Sequence, residues 1–230
     1  MYSNESIAKV LKLMNEKKTD LEASQIDEIK MCISSGNRKI GKTLNVSLPP
    51  IMTCANCKEC KHLCYDVKAC LQYPNTVIDA RMRNLVILLK DRNEYFKRIQ
   101  DKLNGRRKNK FFRWHVAGDI IDIDYFDRMV EIAKKNPDFV FWTYTKNYKV
   151  VNEWISEHGN KKSALPKNLS VMFSEWRGVE MVNPYKLGEF RVVFKDEKKP
   201  KGFYCPGNCD DCIKHNSGCI INQTTYCNEH

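Results

Sequence analysis

Strand-like and helix-like segments alternate along most of this 230-residue chain. No other feature restricts the fold as much. Residues 43–48 (Thr-Leu-Asn-Val-Ser-Leu) alternate apolar with polar side chains and stop at Pro49-Pro50, the pattern of a half-buried strand. Further strands are predicted over 111–116, 139–145, 169–173 and 190–194. Between them, apolar residues recur at helical spacing over 75–103 (with a break at Asp91), over 125–135 and over 148–157. Strands that are entered after helices pair in parallel, because a parallel neighbour needs a crossover. The expected fold class is therefore α/β: a partial (βα) barrel or an open parallel sheet of about five to six strands, too few to close an eight-stranded barrel. Ahead of it, residues 1–38 read as a helical segment. Ser3 or Asn4 caps a first helix, and Ser24 with Asp27 opens a second that carries Ile26, Ile29 and Ile33. Residues 39–200 form the core, and residues 201–230 read as a cysteine-rich, metal-binding C-terminal tail.

A chain of this length can bury a sizeable apolar core without staples. Its 42% hydrophobic and 29% charged residues are those of a globular protein. No apolar run is long enough to cross a bilayer, so no membrane partner is expected. The opening Met-Tyr-Ser-Asn-Glu has neither a basic nor an apolar leader region, which predicts a cytoplasmic protein. Eleven cysteines in a reducing compartment are then poorly explained by disulfides.

All but Cys32 fall into two groups. Cys54, Cys57, Cys60 and Cys64 follow the first strand with the spacing Cys-x2-Cys-x2-Cys-x3-Cys, that of a bacterial ferredoxin cluster loop, and Cys70 lies just beyond. A ligand every third residue lets one loop wrap a 4Fe-4S cluster. The second group holds Cys-x3-Cys-x2-Cys at Cys205, Cys209 and Cys212, with Cys219 or Cys227 to supply a fourth sulfur. One or two clusters are expected. Zinc is the alternative, best accommodated by Cys209/Cys212 paired with Cys219/Cys227.

Residues at the carboxyl ends of parallel strands face a common mouth. Here these are Gly118 and Asp119, then Tyr144 and Lys146, then Glu175, Trp176 and Arg177. Asp119, Tyr144 and Lys146 are the candidate catalytic side chains, and Gly118, Asp119 and Trp176 the candidate cofactor-binding ones. Asp122, Asp124 and Asp127 suit a helix first turn better than a magnesium site, and His62 reads as a solvated loop residue. The charge of +11 is concentrated: residues 90–113 carry ten basic side chains against three acidic ones. This predicts an anionic partner, DNA or RNA, held by Arg106, Arg107, Lys108, Lys110 and Arg113.

Several stretches together resemble the phage gene-product-eighty-eight family. They are Thr53-Cys54, Cys60-Lys-His-Leu-Cys64-Tyr65, Val77, Ala80-Arg81-Met-Arg83-Asn84, Phe112-Arg113-Trp114, Gly118-Asp119, Trp142-Thr-Tyr144-Thr-Lys146 and Cys205-Pro206 with Cys209 and Cys212. The likeness spans about residues 40–220. It implies a phage or prophage protein in a bacterial host. The family is similar to radical S-adenosylmethionine proteins, which implies an iron–sulfur enzyme served by a reductant, with S-adenosylmethionine as a ligand and Gly118-Asp119 facing its amino group. The usual Cys-x3-Cys-x-aromatic-Cys is not reproduced: Cys60-x3-Cys64 is followed by Val67, and the exact Cys-x3-Cys-x2-Cys lies at 205–212 with Asp211 in place of the aromatic residue. The competing expectation is a nucleic-acid-binding protein whose iron–sulfur or zinc sites are structural.

Overall fold

A computed structural model describes residues 1–37, 39–106 and 108–228. Helix α1 (Asn4–Glu22) starts where the Ser3 hydroxyl accepts the Ser6 N–H, and it buries Ile7, Val10 and Met14. No second N-terminal helix follows. Arg98 donates to the carbonyls of Ile26 and Ile29 at 3.1 and 2.6 Å, so those groups are taken by a side chain from another element. The chain instead forms turns and a short strand, β1 (Ile33–Ser34), which pairs antiparallel with β2 (Leu44–Val46).

After β2 come the first cysteine loop, α2 (Tyr65–Gln72), a π-helical turn (Pro74–Ile78), α3 (Asp79–Lys90) and α4 (Arg92–Asn104). Asp91 is the predicted break, and its carboxylate caps α4 at the Glu94 N–H. Then follow β3 (Phe111–Trp114), α5 (Ile123–Lys135), β4 (Val140–Thr145), α6 (Tyr148–Glu157), β5 (Leu169–Glu175) and β6 (Gly188–Val193). The C-terminal segment adds β7 (Phe203–Tyr204), α7 (Cys209–His215), a 3-10 turn (Gly218–Ile221) and β8 (Thr225–Asn228).

The sheet has eight strands in the order β1-β2-β3-β4-β5-β6-β8-β7, and every pairing except β1–β2 is parallel. The order runs in one direction from β1 to β6 and reverses only at the end, where β8 lies between β6 and β7, so that β1 and β7 are the edges. Strands that advance this way by right-handed crossovers carry their helices on one face. That face is the main core, where Phe112, Trp114, Phe141, Val171 and Phe173 meet Val10, Val86, Phe96, Phe126 and Trp154.

Two expectations are corrected here. The strand count is eight rather than five or six, because β1, β7 and β8 are too short to carry a readable period. Residues 201–230 are also not a tail: β7 and β8 extend the sheet, and the turn after α7 packs Cys219 against Trp142 and Met172 on the face opposite the helices. Cys209 donates its N–H to the Lys39 carbonyl at 2.9 Å, and Asp210 fills the space where a side chain on Gly41 (φ +62°) would stand.

Candidate metal centre

The loop after β2 leaves the sheet at Leu48, whose N–H donates to the Ala117 carbonyl at 3.0 Å. Thr53 turns the chain by donating its hydroxyl to the Pro49 carbonyl at 2.8 Å. Gly118 (φ +82°) lies beneath: a Cβ there would come within 2.7 Å of both Leu48 Cβ and Thr53 Oγ1. Its role is thus to admit the cysteine loop to the sheet end. Asn56, in a left-handed conformation, donates to the Lys146 carbonyl at 2.7 Å and pins the loop to the end of β4. Sequence reading missed Asn56, although an asparagine between two cysteines is a turn signal.

These tethers bring together Cys54, Cys57 and Cys60. The Cys57 thiol lies within hydrogen-bond reach of both neighbours and shares its one proton with them, which lowers the pKa of Cys54 and raises its own. The contact with Cys57, assisted against burial by the Lys146 ammonium, lowers Cys60 to about 6. Lys146 reaches Cys60 with its amine and stands 5.6 Å above the Trp176 ring. Asp119 is buried beside them. It accepts the N–H groups of Lys146 and Ile120 at 2.9 and 2.7 Å, and burial raises its pKa to about 6 against the pull of those bonds and of Thr145. The predicted mouth therefore exists with Gly118, Asp119, Lys146 and Trp176 at the cysteine loop. Tyr148 also belongs to it: burial raises its pKa, with Asp119 and Glu175 adding to the effect.

Cys64, the N-cap of α2, lies outside this hydrogen-bonded trio but within electrostatic range of Cys54. Burial raises its pKa to about 11, although the N–H groups of Val67 and Asp66 pull the other way. The next residues lock α2 onto α3 through a buried ion pair, Asp66 with Arg81 at 3.1 Å. Asn84 ties Cys32 and Ser47 together through their backbones. Arg81 and Asn84, both within the stretches that carried the family resemblance, are thus anchors of the scaffold.

The second group gathers on the inner face. Cys212 lies within electrostatic range of Cys219, Cys205 and Cys209, and Cys227 within range of Cys205 and Cys219; burial raises Cys212, Cys219 and Cys227 each to about 11. Tyr144 does not join the mouth. Its hydroxyl donates to Cys219 and its ring packs edge-on against Phe190.

The basic segment is largely paired within the fold. Arg92 holds Asp122 and Asp124, each at 2.7 Å, Lys97 holds Asp101, and Lys110 holds Asp138 at 3.0 Å while lying 4.8 Å above the Phe139 ring. Arg113 is buried and directed to the inner face, away from any exterior ligand. Arg106 and Lys108 are exposed, and Arg107 lies outside the described residues. Asp122 is the N-cap of α5, as its position in a first turn suggested, and His62 donates its Nδ1–H to the Tyr2 carbonyl at 2.7 Å rather than standing free in solvent.

A family model described as gene product 88 matches residues 10–224. The chain belongs to the gene product 88 family. No curated protein and no solved structure matches it. Across the matched span of this family member lie both cysteine groups except Cys227, together with the whole mouth.

Among the described residues, no three cysteine, histidine, aspartate or glutamate side chains are already set around one point as the ligands of a single ion would be. A cubane cluster does not demand such convergence, since each thiolate binds a different iron. The donor set suits it in kind: sulfur alone, three of the four cysteines on one tethered loop, and cations beside them.

Proposed function

We propose that this gene product 88 family protein is an iron–sulfur enzyme of the radical S-adenosylmethionine type, working at the carboxyl-end mouth of its parallel sheet. The observation that supports this reading is the hydrogen-bonded trio Cys54, Cys57 and Cys60 on the tethered loop beside Lys146 and Asp119, a trio that does not include Cys64. Three thiolates hold three irons of a four-iron cluster and leave the fourth iron for an exogenous ligand. When bound and reduced by an external one-electron donor, such a cluster supplies the electron that cleaves S-adenosylmethionine.

The chain's own residues have defined parts. Lys146 offsets thiolate charge at Cys60 and is steered by Trp176. Asp119, held by two backbone N–H groups, offers a fixed carboxylate to an ammonium group such as that of a bound amino acid. The cavity of about 360 Å³ at the ends of β5 and β6, lined by Glu175, Trp176, Arg191 and Phe194 among others, adjoins Lys146 through Trp176 and is the place for a substrate. The terminal cysteines hold an auxiliary centre.

The test is protein purified without oxygen. Iron and acid-labile sulfide of about four each per occupied centre, bound S-adenosylmethionine at millimolar concentration, and loss of that binding in C54A/C57A/C60A support the reading. Zinc without sulfide, or no S-adenosylmethionine binding, sinks it. In that event a salt-dependent affinity for DNA or RNA would make the structural-metal, nucleic-acid-binding reading the leading one.

A further inference from the structure

Arg113 is the one candidate nucleic-acid contact that the fold turns completely inward, and its surroundings are unusual. The residue is 9% exposed. Among the described residues no carboxylate bonds its guanidinium, and its Nε is buried without a hydrogen-bond partner. Its Cζ lies 4.7 Å from the centre of the Tyr144 ring. A buried cation left in this state is destabilising unless an anion stands opposite it. Among the described residues, the phenol of Tyr144 and the thiols of Cys209 and Cys219, which pack in one cluster on this face, and the half-exposed phenol of Tyr65 are the groups near it that can become anionic. Phenols and free thiols are neutral at pH 7 in such an interior, whereas thiolates bound to a metal are not.

We infer that Arg113 is the fixed counter-charge of an anionic tetrathiolate centre built by Cys205, Cys209, Cys212 and Cys219 on the inner face of the sheet. A four-iron cluster has that chemistry, since each thiolate binds a different iron and net negative charge stays on the sulfurs, whereas a zinc ion in four thiolates would need the sulfurs to draw together around one point. Two neighbours complete the arrangement. Arg113 donates to the sulfur of Cys209, and the hydroxyl of Tyr144 donates to that of Cys219. Both bonds strengthen as the sulfur becomes more negative. Arg113 is a positioning residue, acting on the centre through its ligands. It also accounts for the location of the centre. The C-terminal segment is drawn across the sheet, instead of hanging from its edge, because the charge that it must meet sits on β3.

The inference rests on the proposed function only in taking these cysteines as metal ligands, and it is tested independently of the mouth. In a C54S/C57S/C60S background, purified without oxygen, metal and sulfide per chain report the terminal centre alone. Iron with matching sulfide identifies a cluster, and zinc without sulfide identifies a single ion. In that background Arg113→Met is expected to weaken metal retention against a chelator by about 10–100-fold, and Arg113→Lys to restore most of it. Iodoacetamide should then label Cys209 and Cys219 in Arg113→Met but not in the parent. Far-UV circular dichroism of the methionine variant distinguishes a lost centre from a lost fold. If the variant is misfolded, Tyr144→Phe, which removes one hydrogen bond and no charge, is expected to shift the absorption band of an iron centre or, for zinc, to hasten metal release. Equal retention and equal labelling in parent and Arg113→Met would overturn the inference, as would a background protein that binds no metal. A parent that keeps the terminal metal yet fails to bind S-adenosylmethionine would overturn the proposed function and leave this inference standing.

Discussion

The two cysteine regions use the same donor atom in opposite settings. The loop from Cys54 to Cys64 lies beyond the carboxyl ends of β2, β3 and β4, tethered at its edges and faced by Lys146, Asp119 and Trp176. Three of its sulfurs are hydrogen-bonded together, and the fourth, Cys64 at the N-cap of α2, is outside that trio though within electrostatic range of Cys54. The region from Cys205 to Cys227 lies on the inner face, packed on Trp142 and Met172 and met by a buried arginine and a phenol. Under the proposed function the first region would be the reactive centre, which needs an incomplete sulfur set and an approach for substrate, and the second the auxiliary one, which needs a complete set and a sealed, charge-matched environment. The contrast lies in what surrounds each group, since the spacings alone are similar.

The largest expected effect that bears on this contrast is selective metal loss. Cys57→Ala should empty the mouth while leaving the metal count of the terminal centre unchanged, and Cys212→Ala should do the reverse. Metal analysis of the two variants checks this, and loss of both centres in either variant would show that the groups form one site.

Next comes the anchor of the first loop. Asp66 and Arg81 form a buried pair, with side chains 4% and 16% exposed. Asp66→Asn leaves Arg81 charged and uncompensated, and should lower stability by about 3–5 kcal/mol, read from urea unfolding. Labelling of Cys64 should rise in that variant, with Cys219 unaffected.

His115 joins the regions, two residues after Arg113 and three before Gly118. Its ring is buried between Tyr125 on α5 and Thr143 on β4, and burial together with the Arg113 charge depresses its pKa to about 3. An unfolded histidine titrates near 6.5, so below that pH the unfolded chain binds a proton that the folded chain refuses. The stability is therefore intact above about pH 6.5 and falls by up to about 1.4 kcal/mol per pH unit on acidification toward pH 3. His115→Gln should flatten this slope in unfolding midpoints measured across that window. An unchanged slope would mean that another group sets it.

The smallest effect is expected at Gly118. Gly118→Ala must accept φ +82° and a clash with Leu48 and Thr53, at a cost of about 1–3 kcal/mol. The displaced loop should bind metal more weakly at the mouth alone, which metal analysis beside the terminal centre would reveal.

Much of this was legible in the sequence, element by element. The alternation over 43–48 and 139–145 and the helical period over 125–135 are local, so β2, β4 and α5 fall where the pattern puts them. Asp91 was readable as a break because a cap acts on its own first turn. The helix expected around Ile29 failed for a non-local reason: Arg98, from α4, takes the carbonyls that the helix would have used. The strands β7 and β8 were invisible because a two- or four-residue strand exists only through its partner. In the mouth, Gly118, Asp119, Lys146 and Trp176 were found by the rule for strand ends, whereas Asn56 and Tyr148 were missed. Tyr144 was assigned to the mouth because it is near the end of β4. Its side chain alternates onto the inner face, which is a matter of strand phase.

By itself the sequence determined an α/β chain with a parallel sheet, two sulfur-rich segments at its ends, and a basic stretch between them. Periodicity and spacing are properties of neighbours along the chain, and these features need nothing more. Only the tertiary structure decided which sulfurs stand together, that the C-terminal segment closes over the inner face, and that Arg113 faces cysteines roughly a hundred residues away instead of solvent. A charge in a sequence reads as a surface charge. Whether it is buried, and what must then stand against it, is settled by the packing of elements far apart in the chain.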